Sequence, residues 1–115
     1  MSFRSEDRDE ELAKDFVDAC KAMGGTLLGH SNNIMCEVLS KDTFATDILF
    51  SPSERSLRMI RKDKNKEVIE NISLDGIERI NSTYPYLGIS AESQNKSVIT
   101  IYRDSLTFFA EGTRY

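Results

Sequence analysis

Six of the 15 basic residues in this 115-residue chain fall within twelve positions: Arg55, Arg58, Arg61, Lys62, Lys64 and Lys66, with only Asp63 opposing them. Local positive charge of this kind could meet anionic lipid headgroups, where each basic residue near the surface contributes about 1 kcal/mol. The simpler role is an edge hairpin kept soluble by its charge, which is how sheets avoid pairing with foreign strands. Strand alternation puts Arg55 and Arg61 on one face and Arg58 and Lys62 on the other, and 63–66 form a turn tip, so regular geometry divides the cluster. No aromatic residue is interleaved with these bases to stack on nucleobases. The 19 Asp and Glu residues leave a net charge of -4, so nucleic acid is not an expected partner. A second candidate surface is Tyr84-Pro85-Tyr86. Aromatics and arginines commonly anchor protein interfaces, although Tyr84 and Tyr86 serve equally well to cover one end of a fold.

Catalytic chemistry finds no footing. The chain has one histidine, His30, at the end of an alternating run and followed by turn residues. No set of nucleophile, base and orienting acid can be built around it. Gly24-Gly25 and Gly29 match neither glycine-rich phosphate-loop spacing. No aspartate cluster has the spacing of a calcium loop. The expectation is therefore a non-enzyme with no catalytic residues, no metal ligands and no cofactor. Cys20 and Cys36 are too few for a disulfide framework and lack zinc-pair spacing. They read as two free, buried thiols, which fits a reducing, cytoplasmic compartment. The N-x-S/T triplets at Asn71, Asn81 and Asn95 read as accidental, since no secretory segment precedes them.

The elements that must position these residues follow from periodicity. Over 9–23, Leu12, Phe16, Ala19, Cys20 and Met23 recur on one face of a helix. Acids from Glu6 to Glu11 crowd its start, where the helix dipole favours them, and Gly24-Gly25 ends it. From there the period is two. Runs at 26–30, 34–40, 43–50, 56–62, 67–74, 77–81, 97–103 and 105–110 are separated by turn-formers and read as an antiparallel meander within one domain, 1–115. The run around Ile99 is the clearest alternator and should be central. Ile72, Leu74, Ile77 and Ile80 cross Asp75-Gly76 and suggest one bent strand path. Segment 82–93 reads as the longest irregular connection. Such a sheet has one face to bury, by curling into a barrel or sandwich or by packing against the helix. No stretch approaches the ~20 apolar residues of a spanning helix.

The order of these runs resembles a pleckstrin-homology domain. The resemblance covers roughly 25–110. It rests on Asp47-Ile48-Leu49-Phe50-Ser51-Pro52-Ser53-Glu54-Arg55-Ser56-Leu57-Arg58-Met59-Ile60, then Ile72-Ser73-Leu74-Asp75-Gly76-Ile77-Glu78-Arg79-Ile80, then the run from Val98 to Phe108. Within that superfamily the chain is most similar to the small stand-alone domains of apicomplexan inner membrane complex subcompartment proteins. The resemblance implies an α+β, mainly β fold: a pleckstrin-homology-like barrel or sandwich with an N-terminal amphipathic helix. It also implies a protein-interaction or scaffold role at a membrane or membrane skeleton, with attachment through segments outside this chain. The alternative it implies is a phosphoinositide-headgroup domain using 55–66. Two departures bear on that alternative. The first hairpin, Leu28-Gly29-His30-Ser31-Asn32-Asn33-Ile34, lacks the bases that phosphoinositide-binding members place there. The family's C-terminal helix with its Trp is not found in this sequence, so either that helix lies outside the given chain or the helix at 9–23 covers the exposed apolar surface instead.

Overall fold

A computed structural model describes residues 5–30, 33–40, 44–62, 67–83, 87–94, 96–104, 108–110 and 113–114; for 5–7, 30, 108–110 and 113–114 it describes the backbone alone. The fold is α+β and mainly β, with one N-terminal helix and two antiparallel sheets.

The helix α1 (Ser5–Met23) starts one turn before the expected position 9. Its buried stripe is the one that the 3.6-residue period picks out: Leu12, Phe16, Ala19, Cys20 and Met23 are all covered. The end is a Schellman closure. Gly24 N–H donates to Lys21 O at 3.1 Å and Gly25 N–H to Cys20 O at 2.9 Å, with Gly24 at φ 79°, a conformation that disfavours any side chain. Arg103 Nη1 adds a longer contact of 3.4 Å to Met23 O, placing a cation where the helix dipole is negative.

The first sheet is a meander of five strands in sequence order: β1 (Thr26–His30), β2 (Asn33–Leu39), β3 (Ala45–Ser51), β4 (Ser56–Lys62) and β5 (Glu67–Ser73). Burial alternates along β2, β3 and β4. Ile34, Cys36, Val38, Ile48, Phe50, Leu57 and Met59 point into the core. The second sheet runs β6 (Arg79–Ser82), β7 (Gly88–Ser93), β8 (Lys96–Tyr102), β9 (Phe108–Ala110) and β10 (Thr113–Arg114), again in sequence order. Its Ile80, Ile89, Ala91, Ile99 and Ile101 join the same hydrophobic cluster as the helix stripe and the first sheet's inner face. β8 lies between β7 and β9, the central position expected for the clearest alternator. α1 packs on β6 and β7 of one sheet and on β1 and β2 of the other, so it bridges them. Its contact with the first sheet extends to β3, where the Phe16 ring stacks on Phe50 at 5.6 Å.

Three expectations are corrected. The path through Leu74 and Ile77 is not one bent strand. A single 3-10 turn, Leu74–Gly76, begins where the Ser73 hydroxyl accepts the Asp75 N–H at 3.3 Å, and it separates β5 in one sheet from β6 in the other. Segment 82–93 is not wholly irregular, because it contains β7. Gly88, Ser90 and Ala91 are weak strand formers, and pairing with β6 and β8 supplies what their propensity does not.

The third correction concerns the cysteines, which are buried as expected but not free: Cys20 and Cys36 are bonded to each other, with Cα atoms 5.9 Å apart. The β1–β2 hairpin, pairing Leu27 with Cys36, brings β2 back against the last turn of α1. Gly25 makes room for the bond. A Cβ there would lie 2.5 Å from Cys36 Sγ and 2.7 Å from Cys20 Sγ. A cross-link over a sequence separation of 16 stabilises by about 3 kcal/mol in the chain-entropy account. The inference from free thiols to a reducing compartment loses its ground, since disulfides persist mainly where conditions are oxidising. No described helix is long and apolar enough to cross a membrane.

Candidate functional site

Within β4 the basic run divides as strand alternation requires, with Arg61 inward and Arg58 and Lys62 outward, but Arg55 does not share a strand face with Arg61 because it lies in the turn before the strand. Arg55 sits in the β3–β4 turn at φ 52°. Its guanidinium donates to Asp9 Oδ2 of α1 at 2.6 Å and to Asp75 Oδ1 of the 3-10 turn at 2.8 and 3.1 Å. Its carbonyl accepts the Leu74 N–H at 2.9 Å. One residue thus ties the helix, the hairpin turn and the link between the sheets. Hydrogen bonds to the two carboxylates, Asp9 first, hold its pKa above the usual arginine range.

Arg61 points inward and is 3% exposed. Nε donates to Thr46 Oγ1 at 2.9 Å and Nη2 to Tyr102 O at 2.7 Å, while the guanidinium carbon lies 4.9 Å from the Phe44 ring centroid. Burial pulls its pKa down to about 10. Arg61 therefore works inside the protein, joining β3 and β4 to the end of β8.

Arg58 and Lys62 point outward and are exposed. Lys62 lies 3.7 Å from Glu67, its cross-strand partner on β5. Lys64, Lys66, Tyr84 and Tyr86 lie outside the described residues. His30 closes β1 opposite Asn33, and its side chain is likewise outside the description.

What surrounds Arg58 and Lys62 on the outward face of the first sheet escaped the reading of the sequence. The register sets Leu28, Met35, Leu49, Arg58 and Asn71 in one row across the five strands. The next row is Thr26, Glu37, Asp47, Ile60 and Ile69. A third holds Leu39, Ala45, Lys62 and Glu67. Leu28 is 45% exposed, Ile69 52% and Leu39 71%, whereas Met35, Leu49 and Ile60 are half-buried among their neighbours. The face is apolar along Leu28, Met35 and Leu49 of the first row, Ile60 and Ile69 of the second and Leu39 and Ala45 of the third, and it carries charge of both signs. Its trace in the sequence is the unbroken apolar run: Ile34-Met35-Cys36, Ile48-Leu49-Phe50 and Met59-Ile60 leave apolar residues on both faces.

Two charged features of the face are uncompensated. Glu37 and Asp47 are directly opposite each other across β2 and β3, an arrangement that costs stability for like charges. Neither they nor Arg58 forms an ion pair with another described residue.

Elsewhere several charged groups are engaged in holding the fold. Arg8 donates to Ile77 O, and Arg79 lies 3.4 Å from Glu92 across β6 and β7. Arg103 lies 3.1 Å from Asp104 while reaching the helix end. On the second sheet, Ser90 Oγ is 3.1 Å from Ser97 Oγ and 3.2 Å from Thr100 Oγ1, a hydroxyl ladder between neighbouring strands. Among the described residues, no three of His, Cys, Asp and Glu converge as metal ligands would. No known family model, curated protein or solved structure matches the chain.

Proposed function

We propose that this chain is a non-enzymatic protein-interaction module of pleckstrin-homology-like architecture, working in a scaffold at a membrane or membrane skeleton. The meander order and the helix-covered core support the architecture. The observation that carries the interaction reading is the outward face of β1 to β5, where Leu28, Met35, Leu49, Ile60 and Ile69 are presented together with Arg58. Apolar centres with an arginine are what protein interfaces favour.

The lipid-headgroup alternative draws on Arg58 and Lys62, which project from the same face. Against it, Arg55 is paired with Asp9 and Asp75, Arg61 is buried, and Glu37 and Asp47 put two carboxylates on the same face as Arg58. A face of mixed sign does not draw anionic lipid as a uniformly basic one does.

Two measurements test the reading. In liposome co-sedimentation with and without phosphoinositides, no binding is expected at physiological salt. Headgroup-specific binding that survives salt and is lost in Arg58→Glu with Lys62→Glu would replace the protein reading with the lipid one. A photo-crosslinking residue at position 49 should yield discrete protein adducts, while one at exposed Lys14 on α1 should not. Equal labelling from both positions would remove the face from consideration.

A further inference from the structure

We infer that the outward face of β1 to β5 pairs with the same face of a second copy of this chain, in an isologous dimer. The inference rests on the proposal that this face binds protein, and it specifies the partner.

The layout of the face is self-complementary. Arg58 lies one strand beyond Leu49 in the first row, and Glu37 lies one strand to the other side of Asp47 in the second. Consider a two-fold axis lying in the plane of the contact, inclined to β3 and passing between Asp47 and Leu49. It sets Arg58 of each copy over Glu37 and Asp47 of the other. It also brings Leu49 of one copy against Met35 of its mate, so apolar residues meet at the centre. A two-fold contact makes this pairing twice, once for each Arg58.

The charges give the second line of argument. Glu37 opposite Asp47 is unfavourable within one chain, and Arg58 is a cation without an ion pair among the described residues. One contact would supply each with its missing counterpart. A uniformly acidic or basic partner would satisfy only half of this face and oppose the other half, so charge complementarity favours a partner with the same mixed pattern.

Size is compatible. Five strands of up to seven residues present about 600 Å² in flat projection. Side-chain relief brings that towards the roughly 800 Å² per partner of a standard interface. α1 and the second sheet share the opposite, core-facing side, so neither covers these rows.

The test is sedimentation velocity over a concentration series on the oxidised full chain. Wild type should show a reversible monomer–dimer equilibrium. Arg58→Glu sets acid against acid at both contacts, and Glu37→Lys with Asp47→Lys sets base against base. Each variant alone should lose about 100-fold in dimer affinity, at about tenfold per contact. An equimolar mixture of the two should recover a heterodimer, because both of its contacts are again opposite in sign. Circular dichroism and urea midpoints establish that each variant is folded.

A wild type that stays monomeric at all concentrations overturns the inference, as does a dimer that neither variant weakens. Weakening without recovery in the mixture overturns this pairing of Arg58 with Glu37 and Asp47. Adducts from position 49 that contain only a different protein would refute self-pairing while leaving the interaction function standing. Loss of every protein adduct would remove both.

Discussion

Phe16→Ala is the most direct measure of what joins the two sheets. The Phe16 side chain is fully buried, stacks on Phe50 with ring centroids 5.6 Å apart, and belongs to the cluster that contains both inner faces. Removing the ring forfeits its transfer free energy and leaves a cavity that the paired strands around it cannot collapse into, which costs ~3 to 5 kcal/mol. About 1 kcal/mol of that is the ring pair itself. Against a total stability of roughly 5 to 15 kcal/mol for a small domain, this is a large share. With a urea m-value of about 2 kcal/mol/M, the midpoint should fall by about 2 M. The assay is urea unfolding by far-UV circular dichroism on oxidised protein, so that Cys20–Cys36 cross-links the unfolded chain equally in every variant. Phe16→Leu keeps most of the volume and should cost less than ~1.5 kcal/mol, giving a measurable point if Phe16→Ala does not fold. Lys14→Ala, on the exposed side of the same helix, should stay within ~0.5 kcal/mol. If Phe16→Ala is no more destabilising than Lys14→Ala, the helix does not bridge the sheets and the core described above is wrong.

Other perturbations probe the remaining joints. Gly25→Ala places a methyl group on both sulfurs, so it should block or strain the Cys20–Cys36 bond; thiol alkylation with mass detection should find free cysteines in the variant and none in the oxidised wild type, and a fully bonded variant contradicts the packing. Arg55→Ala should cost ~1 to 3 kcal/mol by removing the partner of partly buried Asp9. Arg55→Gly should cost about 1 kcal/mol less than that, because φ 52° favours glycine, and equal losses would refute the backbone argument. For Arg61, burial sets the folded pKa at about 10, below the ordinary arginine value, so between the two the unfolded chain binds more protons and stability contributed by this group rises with pH. The stability of wild type relative to Arg61→Met should therefore increase from about pH 9 to about pH 11 in urea melts, and a constant difference would show that the buried guanidinium stays protonated across that range.

Much of this architecture was legible as period and punctuation. The stripe Leu12, Phe16, Ala19, Cys20 and Met23 is dictated by the 3.6-residue turn, and Gly24 by the left-handed residue that ends it. β1 and β4 have the bounds that alternation predicts, since strand period and turn residues are local properties. Alternation also foretold that Arg58 and Lys62 would part from Arg61.

Only the tertiary structure decided the rest, because it depends on which elements meet. Cys20 and Cys36 lie on different elements, and their bond exists only because the β1–β2 hairpin folds back on the end of α1. β7 has little propensity of its own and is a strand because β6 and β8 pair with it on either side. Arg55 reads as one more member of a basic run until Asp9 and Asp75, 46 and 20 residues away, close around it. The outward face of the first sheet is of the same kind: each strand contributes one or two residues to a row, and only the register sets Leu28, Met35, Leu49 and Arg58 side by side. Period is a property of one segment, whereas rows, cross-links and clamps belong to pairs of segments, and those are fixed when the chain packs.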